Sequence, residues 1–179
     1  MHAMKSPLSS GILAGVITCT SLLCAQGPSG ASSVRKMFVG TWKLVSTQEQ
    51  LRDGRTRPYP DLGENGSGYL VYTDDGHMCA TLMKPDRPNW KSDDEHSTDA
   101  EKISAASGFT SYCGRYAIDE SNHIMLHYPE VAFRPNYVGT VQKRPYRFEG
   151  KRLIFSDTVA TGEVQRWTIT WERMSDARE

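Results

Sequence analysis

From residue 38 onward, apolar and polar residues alternate, and short turn sequences separate the alternating runs. In the first run, residues 40–48, Trp42 and Leu44 share one face with Ser46, and Lys43 lies on the other face. A period of two is typical of a strand, because successive side chains of a strand point to opposite faces of the sheet. The pattern therefore predicts an all-β chain.

Eight such runs are present, and most neighbours are joined by short connections. The clearest hairpin is centred on Asp74-Asp75-Gly76, because Asp-Gly supplies the positive φ that a tight turn requires. The runs span residues 40–48, 68–73, 77–83, 110–118, 123–128, 137–148, 152–156 and 164–173. Local connections favour an up-and-down antiparallel β-barrel of about eight strands over residues 38–174, since closure removes exposed strand edges. A two-sheet sandwich is the alternative.

Two segments interrupt the strands. Residues 53–66 are rich in Pro, Gly and Asp, so we expect a long loop that frames or covers an opening of the barrel. Residues 84–97 also contain prolines and cannot form a strand. One short helix is predicted between residues 97 and 109, because Thr98 with Glu101 forms a capping pair and Gly108 suits a helix end.

The N-terminal region differs from the rest. Residues 12–25 are uncharged and largely apolar and follow Lys5, which is typical of a secretory signal peptide over residues 1–25. The stretch is too short to span a bilayer, which needs about 20 apolar residues. A buried first helix is the alternative, and the bulky Leu23 disfavours a lipid anchor on Cys24. Residues 26–37 then form a flexible mature N-terminus, residues 175–179 form a C-terminal tail, and the protein is predicted to be secreted or periplasmic.

Removal of the signal peptide takes away two of the four cysteines and leaves Cys79 and Cys113. Two cysteines in an exported protein permit one disulfide. They equally permit two buried thiols, because free cysteine packs as a small hydrophobe. The residues alone leave both possibilities open.

Composition and motifs exclude several functions. The chain has 21 Lys+Arg and 21 Asp+Glu without a basic cluster, which argues against nucleic-acid binding. No serine-hydrolase elbow and no glycine-rich phosphate loop occur in the sequence, and no cofactor is predicted. His123 and His127 are four residues apart on a predicted strand, which separates them by roughly 13 Å and prevents them from sharing a metal ion. No metal site and no membrane anchor are expected.

The unit Gly40-x-Trp42 is more informative. In a strand that enters a barrel, a glycine allows close backbone approach while the indole fills the closed end. Arg173, on the last predicted strand, is a natural cation–π partner for Trp42. The alternative is an ordinary core tryptophan and a surface arginine.

Longer motifs resemble a known family. The segment from Phe38 to Ser46 looks like the opening strand of the calycin superfamily. The segments 68–78, 83–88, Tyr112-x-Gly114-x-Tyr116 and 135–144 resemble the bacterial and fungal lipocalin-like domain family. Fatty-acid-binding proteins differ, because they follow that strand with a helix–turn–helix that residues 53–66 cannot form. The resemblance implies a small β-barrel with an internal cavity. Most members have no established activity, and some fungal relatives belong to natural-product pathways.

The strand pattern suggests a candidate ligand site. On the run 137–148, Gln142 and Arg144 share a face with Val138, Tyr146 and Phe148. If that face is interior, Arg144 needs a carboxylate, a tyrosine network or an anionic ligand group, because burying an unpaired charge is costly. The predicted ligand-binding residues are Arg144, Gln142, Tyr112, Tyr116, Tyr72 and His127. The alternative is that Gln142 and Arg144 face solvent or form a structural plug.

Two function classes follow. The first is an exported protein that binds a small hydrophobic or amphipathic molecule in the barrel cavity. The second is an isomerase or cyclase that polarises an enclosed substrate through Tyr, His and Arg hydrogen bonds. No nucleophile–base pair is evident and no catalytic residue is predicted, so binding is favoured.

Overall fold

The computed structural model describes residues 33–91 and 95–175 of the chain. The predicted signal peptide, residues 26–32 of the predicted flexible N-terminus and residues 176–179 of the predicted tail lie outside the described residues. Within the described ranges, no helix has both the length and the hydropathy needed to cross a membrane.

Strands dominate the described residues. The strands are β1 Gly40–Leu51, β2 Thr56–Pro58, β3 Ser67–Tyr72, β4 His77–Met83, β5 Phe109–Asp119, β6 Ile124–Ala132, β7 Gln142–Glu149, β8 Arg152–Thr158 and β9 Val164–Arg173. The helices are α1 Ser33–Phe38 and α2 Asp99–Ala106, with a 3₁₀ turn at Pro135–Tyr137.

Eight of the strands form a closed antiparallel barrel. Their order is β1-β3-β4-β5-β6-β7-β8-β9, and β9 pairs back with β1 to close the barrel. The short strand β2 is an extra strand that pairs with residues 48–50 of β1. The predicted all-β, lipocalin-like barrel is therefore confirmed, and the two-sheet sandwich is not formed.

A bulge in β1 changes which residues face the interior. Trp42 and Leu44 are buried as the alternation predicts, but the pairing of β1 with β9 shifts register between Leu44 and Ser46. An extra residue in one strand inverts the inward and outward positions after it. Thr47 is consequently buried instead of Ser46, and Glu49 is turned toward the interior. The prediction that Ser46 continues the Trp42 face is wrong for this reason.

The predicted helix after residue 97 is confirmed as α2. The Thr98 side chain accepts a hydrogen bond from the Glu101 backbone N–H at 3.3 Å. The Glu101 carboxylate in turn accepts from the Thr98 backbone N–H at 2.9 Å. This reciprocal capping box satisfies two backbone donors that the helix itself leaves unpaired.

Helix α1 was not expected, since residues 33–37 fall within the predicted flexible N-terminus. Its last residue, Phe38, is fully buried and makes edge-on ring contacts with Tyr72, Tyr146 and Phe148. Burial of a phenylalanine side chain is worth about 1.5–3 kcal/mol, which offsets part of the entropy lost when the segment is ordered.

Strand β7 begins later than the pattern predicts. Residues 137–141 belong to a turn region in which Gly139 has a φ of +76°. Val138 is 48% exposed and does not share the interior face of Gln142 and Arg144, which corrects the prediction. Pro135 lacks a backbone N–H, so this segment is poorly suited to continue a sheet.

Trp42 and Arg173 close one end of the barrel, as predicted. The Arg173 guanidinium carbon lies 4.4 Å from the centre of the Trp42 ring. The Trp42 indole N–H donates to the Phe38 carbonyl at 2.8 Å, and Arg173 donates to the carbonyls of Val39 and Met37. These bonds join the first strand, the last strand and the end of α1.

The cysteines are bonded to each other. Cys79 of β4 lies directly opposite Cys113 of β5, with 4.1 Å between the two Cα atoms. Of the two possibilities that the sequence leaves open, the disulfide is therefore the one formed. The bond closes a sequence separation of 34 residues that includes α2.

Gly40 permits the approach of Arg173, and substitution there should be costly. It has a φ of +132°, and a Cβ atom added to it would lie 2.8 Å from Arg173 Nη1. We expect Gly40→Ala to lower the free energy of unfolding by about 1–3 kcal/mol through backbone strain, with a further loss from displacing the guanidinium. Urea denaturation measures this loss.

Gly162→Ala is the matched control. Gly162 also has a positive φ, +81°, but nothing lies within 4 Å of its added Cβ atom. Its loss should be about 1–2 kcal/mol, from backbone strain alone. Equal losses in the two variants would contradict a specific role for the Gly40–Arg173 contact.

Candidate ligand cavity

The barrel encloses a cavity of about 710 Å³. Inward-facing residues of the barrel strands form most of its wall, and the segments 59–62 and 106–110 complete it. The wall is mixed. Its apolar part includes Leu70, Ala80, Leu82, Phe155, Trp167, Ile169 and Trp171, and the charged residues Glu49, Asp61, Arg134 and Arg144 also line it. Residues 59–62 belong to the predicted long loop, so the structure places part of that loop at the cavity as expected.

Arg144 places a positive charge in this wall. It lies on β7 at an inward, half-buried position, and its guanidinium carbon is 5.7 Å from the centre of the Trp167 ring. The guanidinium donates to the Lys143 carbonyl at 3.0 Å and to Gln142 Oε1 at 3.4 Å. Among the ion pairs formed by the described residues, none involves Arg144.

Gln142 holds its amide in one orientation. Its Nε2 donates to Thr140 Oγ1 at 2.8 Å, so its oxygen is left to accept from Arg144. The alternation of β7 is therefore maintained at this point, and both polar residues line the cavity as the sequence predicts.

A buried hydrogen-bonded chain joins Tyr72, His127 and Tyr112. The Tyr72 hydroxyl is 2.6 Å from His127 Nε2, and the Tyr112 hydroxyl is 2.8 Å from His127 Nδ1. Tyr72 and His127 are each 1% exposed and Tyr112 is 8% exposed. The three residues come from β3, β6 and β5, so only the closed barrel brings them together.

Electrostatics keep all three groups neutral near pH 7. Burial lowers the pKa of His127 well below its ordinary value of 6.5, and the Arg144 charge acts in the same direction. Burial also raises the pKa of Tyr72 and of Tyr112. The positive charge of the Arg144 guanidinium partly opposes this rise at Tyr112.

The predicted site residues fall into two groups. Arg144, Gln142, Tyr112 and His127 line the cavity. Tyr72 and Tyr116 are not among its lining residues, although Tyr72 is connected to the cavity through His127. The Tyr116 hydroxyl donates to the Thr73 carbonyl at 2.9 Å, and its ring contacts Tyr72 with 4.8 Å between ring centres.

Several polar cavity residues were not predicted, among them Tyr59, Glu49, Asp61 and Arg134. Burial raises the pKa of Tyr59 to about 12, and the nearby Glu49 charge adds to the rise. The Glu49 carboxylate accepts from Arg57 at 2.8 Å, which compensates its charge. Glu49 was missed because the β1 bulge reverses its orientation, and Tyr59 because it lies in a loop without a periodic pattern.

In the ranges that the structure describes, no group of three or more His, Cys, Asp or Glu side chains is arranged to hold a metal ion. The polar groups of the cavity include two guanidiniums, two carboxylates, the Gln142 amide, hydroxyls and one neutral imidazole, which suit hydrogen bonding to an organic ligand.

An all-β barrel with an internal cavity lined by apolar, aromatic and polar side chains is an architecture that can hold a small molecule. Residues 39–174 match the family described as the lipocalin-like domain, and the chain belongs to this family.

A curated fungal relative has a named ligand. The chain is similar to the 4'-hydroxy-3'-methoxypropiophenone carrier protein ppsC of Aspergillus oryzae, with 29% identity over 107 residues. The similar region covers 54% of this chain and 96% of that protein. No solved structure matches the chain significantly.

The buried His127 should make stability depend on pH. Below about pH 6.5 the unfolded state binds a proton at this residue that the folded state excludes, until the lowered pKa is reached. The free energy of unfolding should therefore fall as the pH falls, by up to about 1.4 kcal/mol per pH unit.

The variant His127→Gln tests this expectation, because glutamine keeps a donor and an acceptor but does not titrate. Urea denaturation of both proteins between about pH 7 and pH 5 should show a smaller decline for the variant. Parallel declines would show that His127 does not carry the effect.

Proposed function

We propose that this protein binds and carries a small, largely apolar molecule whose polar end contacts Arg144 in the barrel cavity. The observation that carries the proposal is the half-buried Arg144 guanidinium, which has no ion-pair partner among the described residues, whereas the other charged lining residues Glu49, Asp61 and Arg134 are ion-paired. A partly buried charge is costly to desolvate unless polar groups meet it, and the bonds to the Lys143 carbonyl and to Gln142 Oε1 use only part of the guanidinium's N–H donors. An oxygen atom of the ligand would meet this need.

Size and composition of the cavity support the proposal. Its volume of about 710 Å³ lies within the range of roughly 300–1,000 Å³ that is usual for small-molecule pockets. Aromatic residues Trp167, Trp171 and Phe155 offer surfaces against which a flat, apolar ligand can pack. The polar groups around Arg144 would orient such a ligand.

The fungal carrier indicates a ligand class. The compound in its name contains an aromatic ring, a ketone, a methoxy group and a phenolic hydroxyl. An aromatic ketone would suit the present cavity, because its ring can pack against Trp167 while its carbonyl accepts from Arg144. We therefore propose aromatic carbonyl compounds as the first class to examine.

An isomerase or cyclase is the second candidate. The Tyr72–His127–Tyr112 chain favours it, because a hydroxyl supported by an imidazole can polarise a carbonyl. Recovery of a bound compound with its structure changed would favour catalysis, whereas recovery of the unchanged compound supports a carrier.

Arg144→Met tests the polar anchor. The substitution keeps an unbranched apolar side chain but removes the charge. A hydrogen bond to a charged group is worth about 1.5–3 kcal/mol, so aromatic ketones and acids should bind roughly ten- to a hundredfold more weakly. Displacement of a fluorescent apolar probe measures the affinities.

Arg147→Met is the matched control on the same strand. Arg147 is exposed, and it pairs with Glu149 at 2.8 Å outside the cavity. This variant should bind the same compounds as tightly as the unmodified protein. Failure of the folded, unmodified protein to bind any probe, or equal affinities in all three proteins, would contradict the proposed anchor.

We also propose that the protein is exported. The uncharged apolar stretch of residues 12–25 motivates this proposal, and the Cys79–Cys113 bond supports it because disulfides persist in oxidising compartments. The mature protein should begin within a few residues of Ala25, as measured by N-terminal sequencing. An intact Met1 on a cytosolic protein would contradict export.

A further inference from the structure

The Tyr72–His127–Tyr112 chain has an inner and an outer end. Tyr72 is fully enclosed and does not line the cavity, whereas Tyr112 lines it. Among the described residues, the only hydrogen-bond partner of the Tyr72 hydroxyl is His127 Nε2, at 2.6 Å. His127 Nε2 is therefore the one acceptor that the described part of the chain offers to the Tyr72 O–H.

This constraint determines the direction of the hydrogen bonds. A neutral imidazole has one N–H donor and one acceptor nitrogen. If Nε2 carried the proton, the buried Tyr72 O–H would be left without an acceptor, which is costly. The favoured arrangement has Tyr72 donating to Nε2 and the His127 Nδ1–H donating to Tyr112.

Tyr112 then presents a donor to the cavity. Its oxygen accepts the Nδ1–H at 2.8 Å, and the Arg144 guanidinium lies close enough that its charge partly opposes the rise in the pKa of Tyr112. In this arrangement the Tyr112 O–H does not donate to His127, so it can donate to a group in the cavity. The nearby Gln142 oxygen already accepts from Arg144. It is therefore a poor acceptor for the proton of a ligand hydroxyl.

We propose that the cavity selects ligands whose polar end is a hydrogen-bond acceptor without a proton of its own, such as a ketone or a carboxylate, over the corresponding alcohols. The oxygen of such a ligand would receive the Tyr112 O–H and an Arg144 N–H together. An alcohol could also accept these bonds, but its own proton would need a separate acceptor beside Tyr112 and Arg144, where the Gln142 oxygen already accepts from Arg144 and both His127 nitrogens are bonded. This inference rests on the proposed binding function and adds the hydrogen-bonding class of the ligand.

The direction of the chain can be measured without a ligand. In protein with ¹⁵N-labelled histidine, long-range proton–nitrogen correlation spectra distinguish the protonated ring nitrogen from the acceptor nitrogen. Comparison with His127→Gln assigns the signals. We expect the proton on Nδ1, and a proton on Nε2 would overturn the inference, whatever the protein binds.

Ligand selection is tested with a matched pair, propiophenone and 1-phenylpropan-1-ol, which differ in the ketone and the alcohol group. Competition with a fluorescent apolar probe should show the ketone binding at least about fivefold more tightly, reflecting the unpaired hydroxyl of the alcohol. Tyr112→Phe should remove most of this preference, because it removes the donor at the cavity wall.

Tyr72→Phe tests the direction of the hydrogen bonds more specifically, because Tyr72 does not line the cavity and so the substitution removes no wall group. Without the Tyr72 hydroxyl, His127 can take either tautomer, and Tyr112 can either donate to a ligand or accept from it. The preference for the ketone should therefore fall severalfold. Tyr116→Phe is the control, because it removes a hydroxyl bonded to the Thr73 carbonyl, outside the chain, and should keep the preference.

The outcomes separate the inference from the proposed function. Equal binding of ketone and alcohol to the unmodified protein would overturn the inference and leave a carrier function intact. Binding of neither compound nor the probe would overturn both. An unchanged preference in folded Tyr72→Phe, verified by circular dichroism and thermal unfolding, would also overturn the inference.

Discussion

The pairing of β1 with β9 is the constraint on which the rest of the structure depends. It closes the sheet, so that the inward faces of eight strands surround one volume and no strand of the barrel is left with an open edge. The Trp42–Arg173 contact lies at one end of this pairing. The bulge in the same pairing turns Glu49 toward the cavity, so closure also influences the wall chemistry.

The cavity combines apolar wall residues with a cluster of polar side chains, and most of the hydrogen bonds of this cluster are formed within the protein. Buried polar atoms are stable only when their hydrogen bonds are formed, and the Tyr72–His127–Tyr112 chain meets that need over three strands. Arg144 is bonded to Gln142 and to a backbone carbonyl but lacks a carboxylate partner within the described part of the chain. The other charged lining residues, Glu49, Asp61 and Arg134, each form an ion pair, so Arg144 is the charge best placed to orient a ligand.

Prediction from sequence succeeded where the signal is local and periodic. The Asp74-Asp75-Gly76 turn, the capping box of Thr98 and Glu101, and the alternation of Gln142 and Arg144 each depend on residues close together in the chain. Prediction failed at Ser46 and Val138. A bulge is an extra residue relative to a partner strand, and the start of β7 depends on pairing with β6, so neither can be seen in one segment alone.

The sequence by itself determined the all-β class and the family resemblance. It predicted the Trp42–Arg173 contact and the inward face of Gln142 and Arg144, but left an alternative open for each. The tertiary structure alone decided that Cys79 and Cys113 are bonded, that Phe38 is buried, and that Glu49 and Tyr59 reach the cavity. It also decided that Tyr72 and Tyr112 contact the two nitrogens of one imidazole. The physical reason is that alternation specifies which face a residue occupies, whereas strand register and barrel closure specify which distant side chain it meets.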